Sequence, residues 1–107
     1  FYTGPRVCSP TISADDADAF ARAARRPPLL WDNYPVNDLA MQPELHLGPI
    51  RGRDPALATA TRGVLINPML QAEASKLPLR SWAAYLADPS GYDAERAWEA
   101  AIGELAG

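Results

Sequence analysis

Leu29-Leu-Trp-Asp-Asn-Tyr-Pro-Val-Asn-Asp38 is the stretch whose reading decides the fold. Leu29, Leu30 and Trp31 form an apolar run too short for a helix, and Pro27, Pro28 and Pro35 bracket it. Such a run predicts a strand buried on both faces, the kind found in parallel sheets. Asn33, Tyr34, Asn37 and Asp38 follow where that strand should end. In parallel α/β folds, ligands gather at the carboxyl ends of strands. An indole has a flat apolar face, and carboxamides and a carboxylate grip hydroxyls through donors and acceptors. That combination suits a sugar. A plainer reading rests on the same residues, a buried Trp ahead of a polar turn, because turns are rich in Asn and Asp.

Upstream, Phe1–Gly4 reads as the end of a strand, with Tyr2 either at the rim of whatever site that end carries or a packed aromatic. Gly4 lets the backbone turn and Pro5 cannot continue a ladder. Cys8 falls in the loop that follows and is read as a buried or inert thiol, since no base lies nearby in sequence. Ser13-Ala-Asp-Asp16 fits a capping box. A helix is expected from there to about Arg25, with Ala17, Phe20, Ala21 and Ala24 as its inward stripe. The adjacent Asp15 and Asp16 invite a reading as catalytic carboxylates, but the positive end of a helix already accounts for them.

Downstream, Leu39–Glu44 reads as a loop and Leu45–Pro49 as a short extended piece. His46, between two leucines, is expected to face solvent or make one structural hydrogen bond. Asp54-Pro55 is a helix start, and Gly63 suits the position just past that helix. Gly63–Asn67 is the third strand, apolar until Asn67 and closed by Pro68. A helix is expected over Gln71–Lys76, broken or restarted at Pro78, then continuing over Leu79–Ala87 with Trp82, Tyr85 and Leu86 on one face. Asp93 caps a last helix reaching about Leu105. The strand ends recur at about 30 residues, the length of a βα repeat. The chain is therefore read as α/β with a parallel sheet, its three strands side by side in sequence order.

A length of 107 residues allows one domain at most. No apolar run approaches the ~20 residues of a membrane span, and a net charge of −3 argues against nucleic acid as a partner. Cys8 and His46 are each the only residue of their type, so neither a disulfide nor a metal site is expected. No glycine-rich phosphate loop and no G-x-S-x-G elbow occurs, and no cofactor is implied. The chain starts at Phe1 within an apparent strand, so it is expected to be part of a longer polypeptide. Its localisation stays open.

Four blocks resemble glycoside hydrolase family 84: Tyr-Thr-Gly-Pro at 2–5, Trp-Asp-Asn-Tyr-Pro-Val-Asn-Asp at 31–38, Leu-His-Leu-Gly-Pro at 45–49, and Gly-Val-Leu-Ile-Asn-Pro-Met at 63–69. The family comprises O-GlcNAcases and bacterial hyaluronidase-like β-N-acetylglucosaminidases. The resemblance implies that the chain is the last three strand–helix units of a TIM (β/α)8 barrel whose amino-terminal part is missing. It implies substrate-assisted retention through an oxazoline, with a GlcNAc-containing glycan or glycoprotein as partner. The adjacent Asp pair that drives this chemistry lies on an earlier strand, so no catalytic residue is expected in this chain. By the same resemblance, Trp31 stands beside the acetamide pocket and Asn33 near the acetamide and the catalytic carboxylate. Asp38 and Asn67 hold the sugar's outer hydroxyls, and Tyr2 stands as a further substrate-side aromatic. His46 replaces a residue that is usually apolar. The alternative is a non-catalytic carbohydrate-binding or structural remnant of such a barrel.

Overall fold

The computed structural model describes residues 1–106. In order come α1 (Ala14–Ala24), β1 (Leu30–Asp32), a 3-10 turn (Leu39–Met41), α2 (Leu57–Ala60), β2 (Val64–Ile66), α3 (Ala72–Ala87) and α4 (Ala94–Ala106). β1 and β2 pair in parallel, with Leu30 opposite Val64 and Asp32 opposite Ile66. The peptide groups of Leu29 and Trp31 bond to Tyr2, whereas the Leu30 N–H bonds to Gly63 O. Successive residues of a strand point these groups to opposite edges, so β1 is central. The expected first strand is thus reduced to one parallel bridge, Tyr2 to Leu30, in the expected order.

The helices lie on one face of this sheet. Ile12, Ala17, Leu30 and Leu57 form one core cluster, joined by Tyr2, Ala60 and Val64. Ile50, Trp82 and Tyr85 form a second, joined by Tyr34, Val64, Ile66 and others. The rings of Trp82 and Tyr85, and of Tyr85 and Tyr92, meet edge to face, the geometry that the ring quadrupoles favour. Burial on both faces, expected for β1, holds only on the helix side. Leu30 is 3% exposed and Asp32 0%, but Trp31 between them is 36% exposed. Phe1 and Leu65 share that open face: Phe1 meets Trp31 edge-on and Leu65 is its register partner.

The capping box forms: Asp16 N–H donates to Ser13 Oγ, and Ser13 N–H to Asp16 Oδ2. At Asp54-Pro55 the helix starts later and is shorter than expected. The Asp54 carboxylate accepts Ala56 N–H at 2.9 Å, which ties a turn ahead of the four-residue α2. Pro78 does not break α3, which runs unbroken through it. An internal proline costs roughly 3 kcal/mol in a lost amide donor and crowding. Here Ser75, Pro78, Ser81, Trp82 and Tyr85 are all buried on one face of α3, and that burial outweighs the cost. Leu86, expected on this face, is exposed.

Candidate functional site

Asn33 and Asn67 follow the carboxyl ends of β1 and β2, and their side chains meet there. The Asn33 Oδ1 accepts two hydrogen bonds, from Trp31 Nε1 at 2.9 Å and from Asn67 Nδ2 at 3.0 Å. Asn33 Nδ2 donates to Val7 O at 2.8 Å, which draws in the loop that follows Tyr2. Three chain segments are thereby fastened to one carboxamide. A carboxamide has two N–H donors and one oxygen with two lone pairs. One Asn33 N–H, one Asn67 N–H and the Asn67 oxygen are left for a ligand. The half-exposed indole of Trp31 stands beside them.

Asp38 lies beyond the cis Tyr34–Pro35 bond, at the start of the 3-10 turn. It is half-buried, and its side chain caps no N–H of that turn, so both oxygens are open to hydroxyl donors. Asn37 is different. It is fully buried, donates to Glu44 O and Gln71 Oε1, and accepts from Leu70 N–H. Its amide is consumed in holding three loops together. The ladder also continues past the strands: Asn67 N–H donates to Asp32 O, and Val36 N–H to Asn67 O. These bonds set the course of the segment that carries Asp38.

Beneath this segment lies an ion pair that the sequence reading missed. Arg53 Nε and Nη2 each reach an Asp32 oxygen at 2.7 Å, and both side chains are almost wholly buried. Arg53 Nη1 donates to Pro10 O and Arg51 O, so four of the five guanidinium N–H donors are engaged. No local pattern announces an Asp–Arg pair 21 positions apart in sequence. The one available signal was an acidic residue inside an apolar strand. α3 braces the same region from behind. Trp82 Nε1 donates to Tyr34 O, Ile50 N–H to Ser81 Oγ, and Met69 N–H to Ser75 Oγ.

Of the two readings of Tyr2, the packed aromatic is the one the structure shows. Its ring packs on Phe20, with centroids 4.9 Å apart, among the helix-side core residues. It lies on the same face as Leu30, its bridge partner, and away from Trp31, so it is a packed aromatic outside the candidate site. Burial, reinforced by Asp16, raises its phenol above the ordinary value. Cys8 is exposed, not buried. It borders a cavity of about 410 Å³ together with Asn33, Tyr34, Met41, His46 and Arg51. Of the five residues nominated from sequence, Asn33 alone lines this cavity. His46 makes more contacts than expected. Its Nδ1 faces the carbonyl oxygens of Pro35 and Val36, and its Nε2 faces Glu44 Oε1. Among the described residues no cluster of acidic, His or Cys side chains is arranged to hold a metal.

Fold and site define a parallel α/β protein whose unused polar groups stand at the carboxyl end of the sheet. Residues 1–107 match the β-N-acetylglucosaminidase (NAGidase) family. Protein O-GlcNAcase from Rattus norvegicus and that from Mus musculus each share 34% identity with the chain over 84 residues, 78% of this chain and 9% of theirs. A mutant O-GlcNAc hydrolase of Thermobaculum terrenum superposes with a TM-score of 0.97 at 48% identity, over 98% of this chain and 23% of that one. The structure of the protein called CpGH84B superposes with a TM-score of 0.91 at 37% identity, over 98% and 19%. The chain belongs to the β-N-acetylglucosaminidase family, glycoside hydrolase family 84. It spans less than a tenth of the length of the curated relatives it matches.

Proposed function

We propose that residues 1–107 are the substrate-binding half of a retaining β-N-acetylglucosaminidase that removes terminal β-linked GlcNAc from a glycan or glycoprotein. One observation carries this reading: Trp31, Asn33 and Asn67 are joined by hydrogen bonds at the carboxyl end of the parallel sheet, in a chain of this family. In this reading the three parallel segments are the last strand–helix units of a (β/α)8 barrel. The open face with Phe1, Trp31 and Leu65 is then turned to the barrel interior. The indole flanks the acetamide, the Asn33 and Asn67 amides hold it and the adjoining hydroxyls, and Asp38 accepts two hydroxyl hydrogens. The substrate's own acetamide oxygen attacks the anomeric carbon to give an oxazoline, one of the exceptions to the two-carboxylate scheme. The carboxylate pair that polarises the acetamide and acts as acid and base lies outside residues 1–107. Asp15 and Asp16 do not supply it, since Asp16 closes the capping box of α1 and Asp15 stands exposed in that helix's first turn.

Asp38→Ala in the full-length protein tests the reading. A carboxylate accepting two hydroxyl hydrogens contributes on the order of 2–4 kcal/mol, so KM for an aryl N-acetylglucosaminide should rise steeply. An unchanged KM and kcat would remove Asp38 from the site. The residues 1–107 alone should show no turnover.

A further inference from the structure

The segment that carries Asp38 is held from both sides. On one side Asn37 is locked by its three hydrogen bonds to Glu44, Gln71 and Leu70. On the other, His46 closes the loop back onto the residues just before Asp38. Its Nδ1 lies 3.0 Å from Pro35 O and 2.9 Å from Val36 O, and its Nε2 lies 2.8 Å from Glu44 Oε1. Carbonyl and carboxylate oxygens only accept. A proton on each ring nitrogen is therefore needed to satisfy both ends, which makes the ring an imidazolium. The loop also shows the effect of being held. Leu39, next to Asp38 and exposed, sits at φ 52°, a left-handed conformation that a leucine adopts only where its surroundings impose it.

We propose that His46, as an imidazolium, is a positioning residue that fixes Asp38 for sugar binding, so that substrate affinity falls when the ring loses its proton. The inference rests on the reading that Asp38 grips the substrate. Cys8, Arg51 and Arg53 line the cavity that the ring borders. Glu44 comes from the ring's own loop. The Tyr34 ring, from the segment after β1, stacks on it at 6.2 Å, with its hydroxyl committed to Gly48 O. Met69, from the segment after β2, accepts the His46 N–H through its sulfur and carries no charge. The hydrogen bond to Glu44 does most to raise the imidazole above its ordinary value, the two carbonyls add to this, and partial burial opposes it. A raised value means that the tie is complete below the ordinary imidazole range. It is lost as the pH rises through the value in the folded protein. A neutral ring keeps one N–H and turns a lone pair toward an acceptor at its other end.

The test is the pH dependence of KM and kcat for an aryl N-acetylglucosaminide, read in the full-length protein beside the NMR titration of the imidazole that His46→Gln removes. In the wild type, KM should step up by about fivefold, the equivalent of one lost hydrogen bond, at the pH where the ring titrates, while kcat keeps its own profile. His46→Gln should lose the step. Glu44→Gln, at an exposed position, should move the step and the ring titration together to lower pH, which a merely structural role would not do. If His46→Gln fails to fold, Glu44→Gln still decides. A step that stays put while the ring titration moves, or a step that survives in His46→Gln, overturns the inference. An Asp38→Ala protein with unchanged KM overturns the sugar reading and this inference with it. A raised KM in Asp38→Ala, with no wild-type step tracking the ring, overturns this inference alone.

Discussion

Each face of β1 departs from the usual alternation at one position. The face covered by helices carries a charged residue, Asp32, fully buried, and the open face carries Trp31 beside Phe1 and Leu65. Alternation in a half-buried sheet normally turns apolar side chains inward and polar ones to solvent. Here the covered face tolerates a carboxylate because Arg53 takes both of its oxygens. The open face leaves Trp31 36% exposed beside Phe1 and Leu65, and in the reading proposed above it meets the sugar. In that reading the covered face carries stability and the open face recognition, on adjacent residues of one three-residue strand.

The largest effect that would sharpen this contrast is on the covered face. Arg53→Met leaves a buried, unpaired carboxylate and should cost about 3–5 kcal/mol in chemical denaturation. Replacing both partners, Asp32→Leu with Arg53→Met, should restore much of that loss. A single variant as stable as the wild type would show that the pair is not desolvated. On the open face, Trp31→Leu should raise KM far more than it lowers the denaturation midpoint. A loss of stability in Trp31→Leu as large as that of Arg53→Met would erase the division between the faces. The smallest effect is pH-dependent. The N–H groups of Ala14 and Ala56 hold the Asp54 carboxyl below its ordinary value. A lowered value means the contribution is complete above the ordinary carboxylate value and is lost as the pH falls through the folded-state value. Asp54→Ala should cost about 1 kcal/mol near neutrality, and its deficit should shrink below about pH 4.

What the sequence disclosed follows the range of the interactions involved. The capping box at Ser13–Asp16 and the strands closed by Pro35 and Pro68 depend on residues a few positions apart, and the structure shows them. The meeting of Asn33 and Asn67 was legible because two apolar runs each ended in an Asn at repeat spacing. Pro78 misled because a local rule gave way to burial of a whole helix face, which local sequence does not display. Tyr2 stayed open between two readings because the side of the sheet on which a residue falls depends on register, here set by its single bridge to Leu30. Asp32–Arg53, Asn37 and the His46 contacts were out of reach, since each depends on partners brought together by the long segment after β1.

The junction of the Ile12 and Asp54 segments has a consequence for how the molecule breathes. Ile12 N–H donates to Gly52 O, Asp54 N–H donates to Ile12 O, and Ala14 N–H donates to Asp54 Oδ2, 40 positions away. Tyr85 of α3 adds its hydroxyl to Asp54 O at 2.7 Å. The first turn of α1, the approach to α2 and the middle of α3 thus share one knot of bonds. Local opening proceeds in contiguous cooperative units, and this knot merges successive strand–helix repeats into one such unit. The amide hydrogens of Ile12, Ala14, Asp54 and Ala56 should show one common opening free energy in hydrogen exchange, and the repeats should unzip together, not one by one.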